Sequence, residues 1–161
     1  MSGTTISIFL ADPAATDRIG AVIAKMLRPG HILLLKGDLG AGKTALARAI
    51  IRTLANDPSL DVPSPSFSLV QPYSAGSQQV LHTDLYRLAG SQDIEELGIL
   101  DDTDAIVLVE WPDRAPVLQD MANFIVSLDL PPEGEGRQMS LWSSNANDDL
   151  AARVRGAGFD L

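Results

Sequence analysis

The stretch "HILLLKGDLGAGKTALARAI", residues 31 to 50, restricts the possible folds of this chain more than any other. Its near-continuous apolar opening reads as a strand covered on both faces. Gly37, Gly40, Gly42, Lys43 and Thr44 follow and satisfy G-x-x-x-x-G-K-[ST] at every position. "KTALARAIIRTLA" then places Leu46, Ile50, Ile51 and Leu54 on one face of a helix. Glycines between a buried strand and an amphipathic helix let backbone N–H groups turn towards phosphate oxygens, and the helix start adds its positive dipole end. The candidate nucleotide-binding run is therefore Asp38, Leu39, Gly40, Ala41, Gly42, Lys43, Thr44 and Ala45. Lys43 is placed to reach the β- and γ-phosphates, and the Thr44 hydroxyl to coordinate magnesium. The plainer alternative is an ordinary glycine-rich turn between strand and helix.

The remaining pattern alternates strands and helices. "TISIFLAD" (5–12) reads as a first strand, and Asp12 with Pro13 opens a helix carrying Ile19, Val22, Ile23, Met26 and Leu27, stopped by "RPG". "FSLVQPY" (67–73) and "QQVLHTDLY" (78–86) read as strands of a hairpin. "SQDIEELGI" reads as a short helix with Ser91 as its N-cap, and "AIVLVEW" as a second buried strand. "NFIVSLDL" and "RQMSLWSS" flank the turn-rich "PPEGEG" as a second hairpin, and "NANDDLAARVRGAG" closes as a helix stopped at Gly156. The pattern predicts one α/β domain of P-loop NTPase type over residues 1–161. Its central sheet is mixed and mostly parallel, flanked by helices, with antiparallel additions.

A triphosphate loop needs acids near its metal. Glu110 follows five apolar residues at the end of the second buried strand, and Asp84 lies in "HTDLYRL". One carboxylate would hold magnesium and the other would orient water, and the sequence leaves open which does which. A charge that merely ends a strand, or an aspartate that caps a turn, is the plainer reading of each. His82 reads first as a structural hydrogen-bonding residue beside the sheet. Tyr86 and Arg87 would cover the site or meet a partner, and Arg87 is also a candidate arginine finger.

Charge narrows the partners. The chain carries 12 Lys+Arg against 21 Asp+Glu, a net charge of −9, with lysine only at 25, 36 and 43. Nucleic-acid affinity comes chiefly from Lys and Arg neutralising phosphates, so any contact with RNA or DNA is expected only through partner proteins. The longest apolar runs are too short to span a bilayer, no secretory leader is read, and there are no cysteines. A cytoplasmic location is expected.

"GDLGAGKT", "SPSFSLVQPY", "HTDLYRL", "EELGI" and "VLVEWPDR", in that order across residues 35 to 114, together resemble the TsaE family. These are bacterial P-loop ATPases of tRNA threonylcarbamoyladenosine modification. The resemblance implies ATP and Mg2+ as ligands, with Thr44 and Glu110 as magnesium ligands. It also implies that Asp84 and Lys43 are required for catalysis and that Trp111 belongs to nucleotide-site function. "SPSF" matches the family's switch-like loop, with Ser66 where a threonine is usual, and "LADPAAT" matches the start of its adenine pocket. The implied partners are TsaD and TsaB, which transfer threonylcarbamoyl to an adenosine beside the tRNA anticodon, and hydrolysis would reset that complex. The alternative from another class is a small nucleotide or metabolite kinase, but the segment between the two acids offers one arginine and no room for a closing lid. A guanine-reading N-K-x-D is absent, which favours adenine.

Overall fold

The structure is a computed structural model that describes residues 3–88 and 94–161. Among the described residues seven strands form one sheet: β1 (Thr4–Leu10), β2 (Ile32–Lys36), β3 (Val70–Ala75), β4 (Gln78–Asp84), β5 (Ile106–Glu110), β6 (Phe124–Asp129) and β7 (Arg137–Ser143). Their order across the sheet is β1-β7-β6-β2-β5-β4-β3. β6, β2, β5 and β4 run parallel, and β7, β1 and β3 add antiparallel ladders outside them. This is the expected mixed sheet, with the phosphate-loop strand at its centre.

Five helices cover the sheet: α1 (Pro13–Met26), α2 (Lys43–Ala55), α3 (Ile94–Leu97), α4 (Val117–Met121) and α5 (Leu150–Gly156). The side-chain period of two along a strand sorts β2 and β5 between two cores. Leu33, Leu35, Ile106 and Leu108 pack with α1, α2 and α5, while Ile32, Leu34, Val107 and Val109 pack with Ile94 and Leu118 from α3 and α4. A strand buried on both sides has no polar position to spare, hence its continuous apolar run. α1 starts as expected, with the Asp12 carboxylate accepting from the Ala15 amide at 2.8 Å. α1 and α2 meet at Gly20, where a Cβ would lie 2.5 Å from the Cβ of Ala49.

The structure moves several boundaries. The strand expected over 67–73 begins only at Val70, because Leu69 takes a left-handed conformation (φ 66°) that breaks extended pairing, and Phe67 is left exposed. β4 stops at Asp84 rather than 86: beyond its partner Glu110 the next residue, Trp111, takes a left-handed conformation (φ 57°), and the Asp84 carboxylate turns the chain by accepting from the Tyr86 amide. The last helix begins at Leu150, capped by Asp149, and Gly156 is its final residue rather than its stop; Gly158 (φ +92°) takes the left-handed turn. Ser91 lies outside the described residues. α4 and the 3-10 turn Pro112–Arg114 have no counterpart in the sequence reading. Among the described residues no helix is long and apolar enough to cross a membrane.

Candidate active site

The glycine loop joins the C-terminal end of β2 to α2. Gly40 (φ +81°) and Gly42 (φ +103°) hold left-handed backbone, and a Cβ on either would meet nothing within 4 Å. Conformation demands glycine there, not crowding, and the space in front of the loop is open. Gly42 caps α2 without any side-chain hydrogen bond to the first turn, so those N–H groups remain available to a ligand. From the start of β7, the Arg137 guanidinium donates to the carbonyls of Ala41 at 3.0 Å and Gly40 at 3.2 Å. A trans peptide points its N–H away from its C=O, so holding the Ala41 carbonyl turns the Gly42 amide to the opposite side.

Lys43 is 5% exposed and folds back over its own loop. Its Nζ donates to the carbonyls of Gly37 at 2.6 Å and Asp38 at 2.9 Å, and lies 4.2 Å from the centre of the Trp111 ring. Burial lowers its pKa, against the opposing pull of Glu110, Asp84 and Asp38. Trp111 holds left-handed backbone (φ 57°), which swings its ring from the end of β5 over the loop and against Tyr86, 4.9 Å between centroids.

Parallel pairing sets Val80 opposite Ile106, His82 opposite Leu108 and Asp84 opposite Glu110. Val80, Ile106 and Leu108 face α2, so period two brings His82, Asp84 and Glu110 to that same face. Glu110 is 2% exposed. Its Oε1 and Oε2 accept from the Thr44 hydroxyl at 2.9 and 3.0 Å, and Oε2 lies 2.6 Å from Nε2 of the buried His82. Asp84 is held differently. Its Oδ2 accepts from the Ser64 hydroxyl at 3.2 Å and its Oδ1 from the Tyr86 amide at 2.9 Å.

These groups surround a cavity of about 410 Å³. Leu39, Gly40, Gly42, Lys43, Thr44 and Ala45 line it from the loop and α2, and Asp84, Glu110 and Trp111 from the facing strands. Two of the expected loop residues do not: Ala41 is buried and lines a second cavity, and Asp38 contributes its carbonyl to Lys43. Ser66 and Arg87 lie on the wall, with the Arg87 guanidinium 4.5 Å from the ring centre of Phe67. Ser64 and Arg137 were not among the expected residues. Ser64 sits in the quoted "SPSF", but no spacing rule ties it to Asp84; Arg137 is separated from the loop by nearly a hundred residues.

The second cavity, about 650 Å³, lies beyond the start of α2, sharing Gly42 and Ala45 with the first, and contains Asp12 and Thr16 of "LADPAAT". Among the described residues no three His, Cys, Asp or Glu side chains are grouped to enclose a metal. The hydroxyl of Thr44 and the carboxylate of Glu110 form an all-oxygen pair. That suits a hard cation which takes its other ligands from phosphate and water, the habit of Mg2+.

The model of the family described as "Threonylcarbamoyl adenosine biosynthesis protein TsaE" matches residues 10–139. The chain is 33% identical over 132 residues to the tRNA threonylcarbamoyladenosine biosynthesis protein TsaE of Haemophilus influenzae, covering 78% of this chain and 82% of that one. It is 39% identical over 124 residues to the protein of the same name in Synechocystis, covering 73% and 77%. The crystal structure of Bacillus subtilis YdiB superposes with a TM-score of 0.64 over 98% of this chain and 96% of that one; at 21% identity this shows a shared fold.

Proposed function

The chain belongs to the TsaE family of threonylcarbamoyl adenosine biosynthesis proteins, and on that premise we propose that it binds and hydrolyses ATP as an accessory subunit of tRNA threonylcarbamoyladenosine modification. One observation carries the reading: the Thr44 hydroxyl at the start of α2 rests on the Glu110 carboxylate. That joins a phosphate-loop threonine to an acid from the neighbouring strand, where a nucleotide-bound magnesium ion would take both oxygens. When bound, the cation would supply charge neutralisation between the β- and γ-phosphates. Lys43 would exchange its two carbonyl partners for phosphate oxygens, and the amides between Asp38 and Ala45 would hold the phosphate chain. Among the described residues the Asp84 carboxylate makes no hydrogen bond to Thr44 or Glu110 and is held by Ser64 and the Tyr86 amide, which favours it as the base that orients the attacking water. The nucleoside would extend into the second cavity, towards Asp12 and Thr16.

TsaD and TsaB are the proposed partners, with tRNA reached only through them. The net charge of −9 supports that division, since a chain this acidic repels phosphate backbones. The test is the rate of phosphate release from ATP by the protein alone and with a TsaB–TsaD complex. Slow turnover alone and clear stimulation by the complex are expected. Equal rates overturn the accessory role, and rapid phosphorylation of a small metabolite by the protein alone would establish the kinase instead.

A further inference from the structure

We propose that His82 is a positioning residue for the cation site: it commits one oxygen of Glu110 and leaves the other free for the metal, an inference that rests on the nucleotide-site reading above. His82 is fully buried on β4, one pairing step below Asp84. Two acceptors cannot approach to 2.6 Å without a proton between them, so His82 Nε2–H donates to Glu110 Oε2. Among the described residues the only other group bonded to this carboxylate is the Thr44 hydroxyl, which touches both oxygens. A cation that takes Thr44 as a ligand uses a lone pair of the hydroxyl oxygen; the O–H can go on donating to Glu110, but it serves either carboxylate oxygen and so singles out neither. His82, buried behind the carboxylate, is the partner that does, and a cation in the cavity leaves it in place.

The other ring nitrogen argues against a purely structural role. Nδ1 of His82 is buried and has no hydrogen-bond partner among the described residues, an unfavourable arrangement that an apolar side chain would avoid. Its neighbour Leu81 and its cross-strand partner Leu108 are apolar and buried. What distinguishes His82 from these is the single N–H aimed at Glu110. Groups that orient a metal's ligands in this way typically change metal affinity about 10–100-fold when removed.

The test uses His82→Leu, His82→Asn and His82→Gln in the full chain, with ADP binding measured by titration calorimetry in magnesium and again in EDTA. The glutamine amide reaches the position of Nε2, whereas the asparagine amide reaches only that of Nδ1. His82→Leu and His82→Asn should lose about tenfold in magnesium-dependent ADP affinity while EDTA affinity stays within about twofold. His82→Gln should restore most of the magnesium effect. The inference is overturned if glutamine and asparagine behave alike, if magnesium and EDTA affinities fall together, or if His82→Leu binds as the parent does. An unchanged parent signal on adding ADP would instead sink the nucleotide-site reading, and this inference with it.

Discussion

Thr44→Val gives the sharpest check on the geometry around Glu110, because it keeps the side chain's shape and deletes only the hydroxyl. That hydroxyl donates to both carboxylate oxygens, at 2.9 and 3.0 Å. Glu110 is 2% exposed at the cavity wall, so water makes up the lost bond only in part. A hydrogen bond to a charged group contributes roughly 1.5–3 kcal/mol. Here one proton is shared between two oxygens and His82 still serves one of them, which favours the lower end, about 1.5–2 kcal/mol. For a domain of this length each kcal/mol moves the midpoint of thermal unfolding by about 2–4 °C. Thr44→Val should therefore unfold roughly 3–8 °C below the parent in scanning calorimetry with EDTA and no nucleotide. Thr44→Ser retains the donor and should stay within about 2 °C, since it loses only a half-buried methyl group. Combining Thr44→Val with Glu110→Gln should show coupling on the order of 1 kcal/mol, because the two residues share one bond. If valine and serine fall by the same amount, or valine unfolds with the parent, the Thr44–Glu110 bond does not exist in solution and the proposed cation site loses its foundation.

Two further outcomes follow from the same structure. Lys43→Met should abolish measurable ATP and ADP binding, yet without nucleotide it should be at least as stable as the parent at pH 7. Burial lowers the folded-state pKa of Lys43 below its ordinary 10.5, so the parent carries the full cost of the buried ammonium at neutral pH. The parent recovers stability as pH rises from the lowered value to 10.5, and the difference between the two proteins should shrink across that window in denaturant titrations; a clear loss of stability at pH 7 would contradict this. Gly20→Ala should lose stability, because its Cβ would fall 2.5 Å from that of Ala49 and force α1 and α2 apart. Overpacking costs about 1–3 kcal/mol and outweighs the roughly 0.5–1 kcal/mol gained by replacing a helical glycine. Ala49→Gly in the same chain should recover the loss, and equal urea midpoints for parent and Gly20→Ala would refute the close approach.

The loop, its flanks and the two acids were legible because each is set by local rules. The glycines, Lys43 and Thr44 form one contiguous run, and Glu110 announces itself as the charge that ends a buried strand. Counting by twos from Val80 would also have placed His82 and Asp84 on one face of β4. What sequence cannot supply is register. Only the pairing of Asp84 with Glu110 brings the two acids level, and only the sheet order brings β7 round so that Arg137 reaches the loop. The early end of β4 and the late start of β3 share that origin, since they depend on bonds such as Asp84 N–H to the Leu69 carbonyl that join distant residues. α4 was missed for another reason. Its five residues are too short to display a helical period, and it is held in part by the bond from Lys36 Nζ to Gln119 at 2.9 Å.

The folded-back lysine also bears on what the proposed site accepts. Lys43 already has two carbonyl acceptors and an aromatic face, so a ligand would exchange existing bonds rather than fill an empty place. Neutral carbonyls are weaker partners for an ammonium than phosphate oxygens, whose charge-assisted bonds are roughly twice as strong. The exchange is favourable for a polyphosphate and unfavourable for a neutral ligand of the same shape. The surrounding carboxylates sharpen this selection, because Asp84 and Glu110 repel an anion that arrives without a cation. On the proposed reading, a site built from a folded-back lysine and two acids would select for phosphate charge and for an accompanying metal together. The chain's net charge of −9 adds to this selection, since it would disfavour phosphate-bearing molecules that arrive without a cation to screen them.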